Sequence, residues 1–114
     1  MTYERWLPVV GFEGSYEVSN LGHVRGPRKL LRIQARRYPQ VNIGKNNPMR
    51  VHQLVMAAFV GPCPEGKEIL HWDDDKQNCA LLNMRYGTRF ENAQDRKRNG
   101  RYDNVVAANK RRAA

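Results

Sequence analysis

Apolar residues recur with a period of two in several short stretches of the chain and at helical spacing in one other. Between Trp6 and Arg25, Tyr16 and Val18 alternate with Glu17 and Ser19, and Val24 follows an Asn20-Leu21-Gly22 turn. That arrangement predicts a short hairpin. Gly11 and Gly14 punctuate its entry, Gly26-Pro27 closes it, and residues 28–32 begin a basic strand or connector. A second strand is expected over 38–43, with Val41 and Ile43 on one face. Val51, Leu54, Val55, Ala58 and Phe59 then fall at helical spacing, and Gly61-Pro62 stops that helix.

Residues 67–72 read as a strand running into the acidic, turn-rich stretch 73–78, and a further strand is expected around 83–86. Thr88 and Glu91 have the spacing of a capping box, which starts a helix at Arg89 that Asn99-Gly100 ends. The class is α+β: a small N-terminal β-hairpin module over 1–32, a strand-loop-strand-helix unit with short helices over 33–100, and a basic tail over 101–114. The tail is expected to extend as a frayed helix. There is no internal repeat, and the two units are expected to share a continuous sheet or lie side by side.

Length limits this picture and charge gives it a direction. The 114 residues suffice for one domain with a modest core. Lysine and arginine total 20 against 11 acidic residues, a formal net charge of +9. Such a field attracts polyanions, and the counterions released from neutralised phosphates make the binding salt-dependent. Nucleic acid is the expected partner. Cys63 and Cys79 form no CxxC pair; two thiols, one disulfide, or metal ligation with His52 and His71 stay open, with structural zinc disfavoured because its ligands come in tight pairs. No apolar run approaches a membrane span and the N-terminus has no signal-peptide core, so no membrane is expected and a cytoplasmic setting is.

Phosphodiester cleavage needs a base for water and a cation facing it across the scissile bond. His71, where the strand leaves for the loop, suits the first role, and Asn92, in the first turn of the following helix, is an oxygen donor suited to a hard divalent ion. That helix N-terminus also favours a phosphate. The run from His71 to Asn92, with Asp73, Asn78, Asn83, Tyr86, Gly87, Thr88 and Glu91 between them, resembles the phage and homing HNH endonucleases. Residues 6–25 resemble the nuclease-associated NUMOD4-like module found in front of such enzymes. The resemblance implies a ββα-metal finger, Mg²⁺ or Mn²⁺ as cofactor, double-stranded DNA as partner and a phage-encoded protein acting in the host cell. It makes His71 the general base, Asn83 the residue that holds the loop and orients His71, and Asn92 a metal ligand.

One position departs from the family. An aspartate or second histidine often precedes the general base as the other metal ligand, and here that position is Leu70. Asp73 is the expected substitute. A single-ligand site completed by water and DNA phosphate, and a degenerate nuclease, are the alternatives, and Asp95 is an outside candidate for supporting the metal. His52 is read as a structural residue opening its helix, and His23 as exposed or near DNA. Arg85, Arg89, Arg96, Lys97 and Arg98 are expected to contact DNA phosphates beside the site, with Arg25, Arg28, Lys29, Arg32, Arg36 and Arg37 as a second basic cluster. The whole reads as a metal-dependent endonuclease that nicks one strand, with weak sequence preference or with specificity supplied by a partner or oligomer. The competing reading is a DNA-binding module of little or no activity on the same scaffold.

Overall fold

A computed structural model describes residues 3–99; Gly100 and the basic tail lie outside that range. The N-terminal unit has three strands, not two. Strand β1 (Trp6–Pro8) pairs with β2 (Glu17–Ser19), which pairs with β3 (Val24–Arg25), all antiparallel. Asn20 anchors the segment that leads into β1. Its Oδ1 accepts from the Arg5 N–H at 2.7 Å and its Nδ2 donates to the Tyr3 carbonyl at 3.0 Å.

The strand expected over 38–43 is β4 (Gln40–Asn42), and it has a partner that the sequence did not reveal, β5 (Pro48–Arg50). Helix α1 (Val51–Phe59) follows directly. Then come β6 (Glu68–His71), a 3₁₀ turn at Leu81–Asn83, β7 (Met84–Gly87) and helix α2 (Arg89–Arg98). Among the described residues the three sheets stay separate, so the units lie side by side without a continuous sheet. None of the described helices is long and apolar enough to cross a membrane.

A single apolar cluster joins the parts. Val9, Val18 and Val24 of the N-terminal unit meet Val51, Leu54, Val55 and Met56 of α1, and the same cluster takes in Val41, Ile43, Cys79 and Met84. The front module also seats the loop between β6 and β7. The Asn20 carbonyl accepts from the Leu81 N–H at 2.8 Å. Gly22, at the hairpin turn with φ +90°, lies so close that a Cβ there would sit 3.2 Å from the Cβ of Cys79. Glycine is needed there for the turn and for the approach.

The β6–β7 ribbon carries a helix on each face. Strand periodicity separates Ile69 and His71 from Glu68 and Leu70. Ile69 and Tyr86 pack on the cluster that contains α1, whereas Leu70 lies against Gly87 and Glu91 at the start of α2. The capping box is formed: the Glu91 N–H donates to Thr88 Oγ1 at 3.3 Å, and Glu91 Oε1 accepts from the Thr88 N–H at 3.2 Å. A Cβ on Gly87 would fall 2.4 Å from Leu70 Cδ1, and Leu70 is only 2 % exposed. Gly87→Ala should therefore cost about 1–3 kcal/mol through overpacking, measured by urea unfolding. A change below about 0.5 kcal/mol would show that the ribbon and α2 separate easily.

Candidate active site

His71 ends β6 with its side chain buried, and its Nε2 has no hydrogen-bond partner among the described residues. A buried polar atom left that way is costly and marks a place where a donor is missing. The ring stands 5.9 Å from that of His52, which stacks on Tyr38 at 5.0 Å. Burial pushes both imidazoles toward the neutral form, His52 to about 4, with His71 and Arg50 adding to the effect there. At His71 burial lowers the pKa first; Asp73, Asp75 and Asp74 oppose it without reversing it. His71 is therefore an uncharged imidazole at neutral pH, with a lone pair on Nε2 when the proton sits on Nδ1.

The loop after His71 is held from within. Asp73 Oδ1 accepts from the Asp75 N–H and from Asn83 Nδ2, both at 2.8 Å, and its Oδ2 accepts from Asn78 Nδ2 at 2.9 Å. Asn83 returns the contact, accepting from the Asp73 N–H at 3.2 Å and donating to the Asn78 carbonyl at 3.0 Å. The Asn83 carbonyl also accepts from the Trp72 N–H at 2.7 Å, next to His71. Asn83 thus ties together the loop that carries the histidine. Asp73, the expected second metal ligand, has both its oxygens hydrogen-bonded within the loop, and it does not line the cleft that Asn92 lines.

That cleft, of about 850 Å³, runs along the unpaired edge of β6 between the start of α1 and α2. His71 and Asn92 both line it. So do six cations, Arg37, Arg50, Lys67, Lys76, Arg89 and Arg96, against two carboxylates, Glu68 and Asp74. Arg50 and Lys76 stand over the Tyr38 ring at 4.8 and 5.3 Å. Of the five basic residues expected to contact DNA, Arg89 and Arg96 line the cleft and Lys97 is exposed outside it.

Arg85 and Arg98 do something else. They close on Asp95, each at 2.8 Å, and Arg85 donates through both of its terminal nitrogens. Arg85 lies 3.6 Å above the Trp72 ring, and Arg98 donates to the Trp72 carbonyl at 2.7 Å. Asp95 is 1 % exposed and is the one buried residue of α2. Burial pushes its carboxyl up, but the two guanidiniums outweigh that and hold it below the usual carboxylate range. Both oxygens of Asp95, the outside candidate for supporting a metal, are taken up by this clamp, and Arg85 and Arg98 dock α2 through it.

His23 pairs with Glu4 and stays exposed. Cys63 and Cys79 are free thiols, the first exposed and the second buried. Among the described residues no three His, Cys, Asp or Glu side chains converge as metal ligands. Arg50, Lys67 and Lys76 gave no signal in the sequence because they are far apart in the chain and meet only across the cleft.

The HNH endonuclease family model matches residues 49–94 and the NUMOD4 motif model residues 4–54. The chain is 31 % identical over 102 residues to DNA endonuclease I-HmuI of Bacillus phage SP01, covering 83 % of this chain and 59 % of that protein. The described fold also resembles the solved structure of the HNH homing endonuclease I-HmuI, a protein that binds and cleaves DNA, with TM-score 0.72 and 28 % identity over 94 % of this chain and 68 % of that one. The two matched models together take in residues 4–94, with the NUMOD4 motif at the front and the HNH endonuclease model behind it. It spans a little under two thirds of the curated relative it matches.

Proposed function

We propose that the chain is a divalent-metal-dependent DNA endonuclease that nicks one strand per encounter, with His71 as general base. The observation that carries this reading is the neutral, buried His71 with an unpartnered Nε2 on the wall of a cleft lined by six cations. The cations attract the DNA backbone and position it without reading sequence. A water held between Nε2 and the phosphate supplies the missing donor, and His71 takes its proton as the oxygen attacks phosphorus. Asn83 keeps the loop, and with it His71, in place.

HNH endonucleases are generally divalent-metal dependent. The oxygen donors on the cleft wall, the Asn92 amide and the carboxylates of Glu68 and Asp74, suit a hard ion; His52, His71 and Cys63 line the cleft too, but among the described residues no three His, Cys, Asp or Glu side chains converge as ligands. When bound, Mg²⁺ or Mn²⁺ would offset charge on the phosphate and the departing oxygen. Double-stranded DNA is the substrate, and a single site per chain cuts one strand at a time. The relative I-HmuI binds and cleaves DNA, which supports the same chemistry here.

The test is the pH dependence of duplex cleavage in single turnover at saturating metal. A base works when deprotonated, and burial lowers the pKa of His71 from 6.5. Cleavage should therefore be flat through neutrality and fall with unit slope at a midpoint below pH 6.5. A midpoint well above that value would remove His71 from the base role.

A further inference from the structure

We infer that Glu68 supplies the carboxylate ligand that Leu70 cannot, so that the metal is held by Glu68 and Asn92 from the edge of β6 and the first turn of α2. The inference rests on the nuclease reading above and identifies its missing part. Asn92 is a neutral donor, and its neighbours on the cleft wall include Arg89 and Arg96. The start of α2 adds its own partial positive charge. A divalent cation does not settle there on an amide oxygen alone; a carboxylate must offset that field.

Two carboxylates line the cleft. Asp74 stands in the loop beyond His71, with its backbone in the left-handed region at φ +58° and its N–H donating to the His71 carbonyl at 2.9 Å. Glu68 is two residues before Leu70 on the same strand, so its side chain leaves the same face of the ribbon about 7 Å further back. It is paired across the ribbon with Gly87, the residue that leads into the N-cap of α2. Its Oε1 is already 3.5 Å from Asn92 Nδ2. Turning the Asn92 amide over by about 180° exchanges nitrogen for oxygen and points two oxygens at one place, a donor pair a cation can bridge. Glutamate's extra methylene also makes up part of the setback relative to an aspartate at position 70. Leu70 itself packs beside Gly87 and offers no ligand atom, so the carboxylate must come from elsewhere on the strand. Magnesium and manganese keep several waters and accept one or two carboxylates plus substrate phosphate, which is the set this arrangement offers.

The measurement is Mn²⁺ binding by the full chain in complex with a short DNA duplex, on a His71→Ala background so that the DNA stays intact, followed by electron paramagnetic resonance. Glu68→Gln should weaken Mn²⁺ binding at least about tenfold. Glu68 is exposed, so the variant is expected to fold, and unchanged duplex affinity and melting temperature would verify that. Adding Leu70→Asp to Glu68→Gln should recover much of the lost affinity. Equal Mn²⁺ affinity with and without Glu68→Gln would overturn the inference, as would loss on Asp74→Asn in place of Glu68→Gln. A parent chain that nicks plasmid at the same Mn²⁺ concentration as its Glu68→Gln variant would leave the nuclease and remove this ligand. A chain whose duplex complex binds no Mn²⁺ would remove both.

Discussion

Replacing His71 by alanine should lower DNA nicking about 10³-fold while duplex affinity changes less than about twofold. The size follows from what a positioned general base typically contributes, roughly 10²–10⁴-fold, and no second neutral imidazole is placed to take over. His52 is the nearest candidate, but it stacks on Tyr38, is buried, and its pKa of about 4 makes it a poor proton acceptor at neutral pH. Affinity should hold because the cations that line the cleft stand on other residues, from Arg37 to Arg96. His71→Gln, which fills more of the buried site, should lose as much activity as alanine. If glutamine restored nicking to within about tenfold of the parent, His71 would be a packing residue and not the base.

Asp95→Ala should lower the melting temperature by roughly 10–20 °C, equivalent to about 3 kcal/mol for a chain of this size. Helix α2 presents little apolar surface; Asp95 is its one buried residue, and the helix is fastened through Arg85 and Arg98. Removing the carboxylate leaves Arg85, whose side chain is only 22 % exposed, without its partner over the Trp72 ring. Breaking such a pair costs more than the pair is worth relative to an apolar replacement, because the remaining charge stays partly desolvated. Arg98 is 47 % exposed and regains water, which keeps the cost from the top of the usual range. Asn92 rides on the same helix, so nicking should fall as well. A melting temperature within about 3 °C of the parent would mean that the capping box and Leu70 alone hold α2 in place.

The parts of this molecule that follow a local rule could be read from the chain. The capping box at Thr88 and Glu91 announces α2, the apolar spacing from Val51 to Phe59 announces α1, and the ribbon is visible on either side of the acidic loop. Strand β5 was not visible, because Pro48-Met49-Arg50 has no alternation and owes its existence to pairing with β4. Strand β1 was absorbed into the entry of the hairpin, since its order depends on the Asn20 side chain.

The site divides in the same way. His71, Asn83 and Asn92 occupy motif positions and are named by the resemblance to the HNH endonucleases. Which arginines face DNA cannot be named in that way, because a guanidinium is committed only once a carboxylate from another turn or strand reaches it, as Asp95 reaches Arg85 and Arg98. Asp73 illustrates the same limit: a carboxylate two residues from the histidine suggests a ligand, yet the loop consumes both its oxygens. Glu68 gave no signal at all, being one exposed glutamate on a short strand whose meaning depends on Asn92 lying opposite.

The most direct measurement is relaxation of supercoiled plasmid by the purified full chain with Mg²⁺ or Mn²⁺ and with the metal chelated, beside His71→Ala at equal DNA occupancy. The expected result is conversion to open circles by the parent only when metal is present, and almost none by the variant. Bound plasmid that stays supercoiled with either ion, or relaxes equally well without His71, would contradict it.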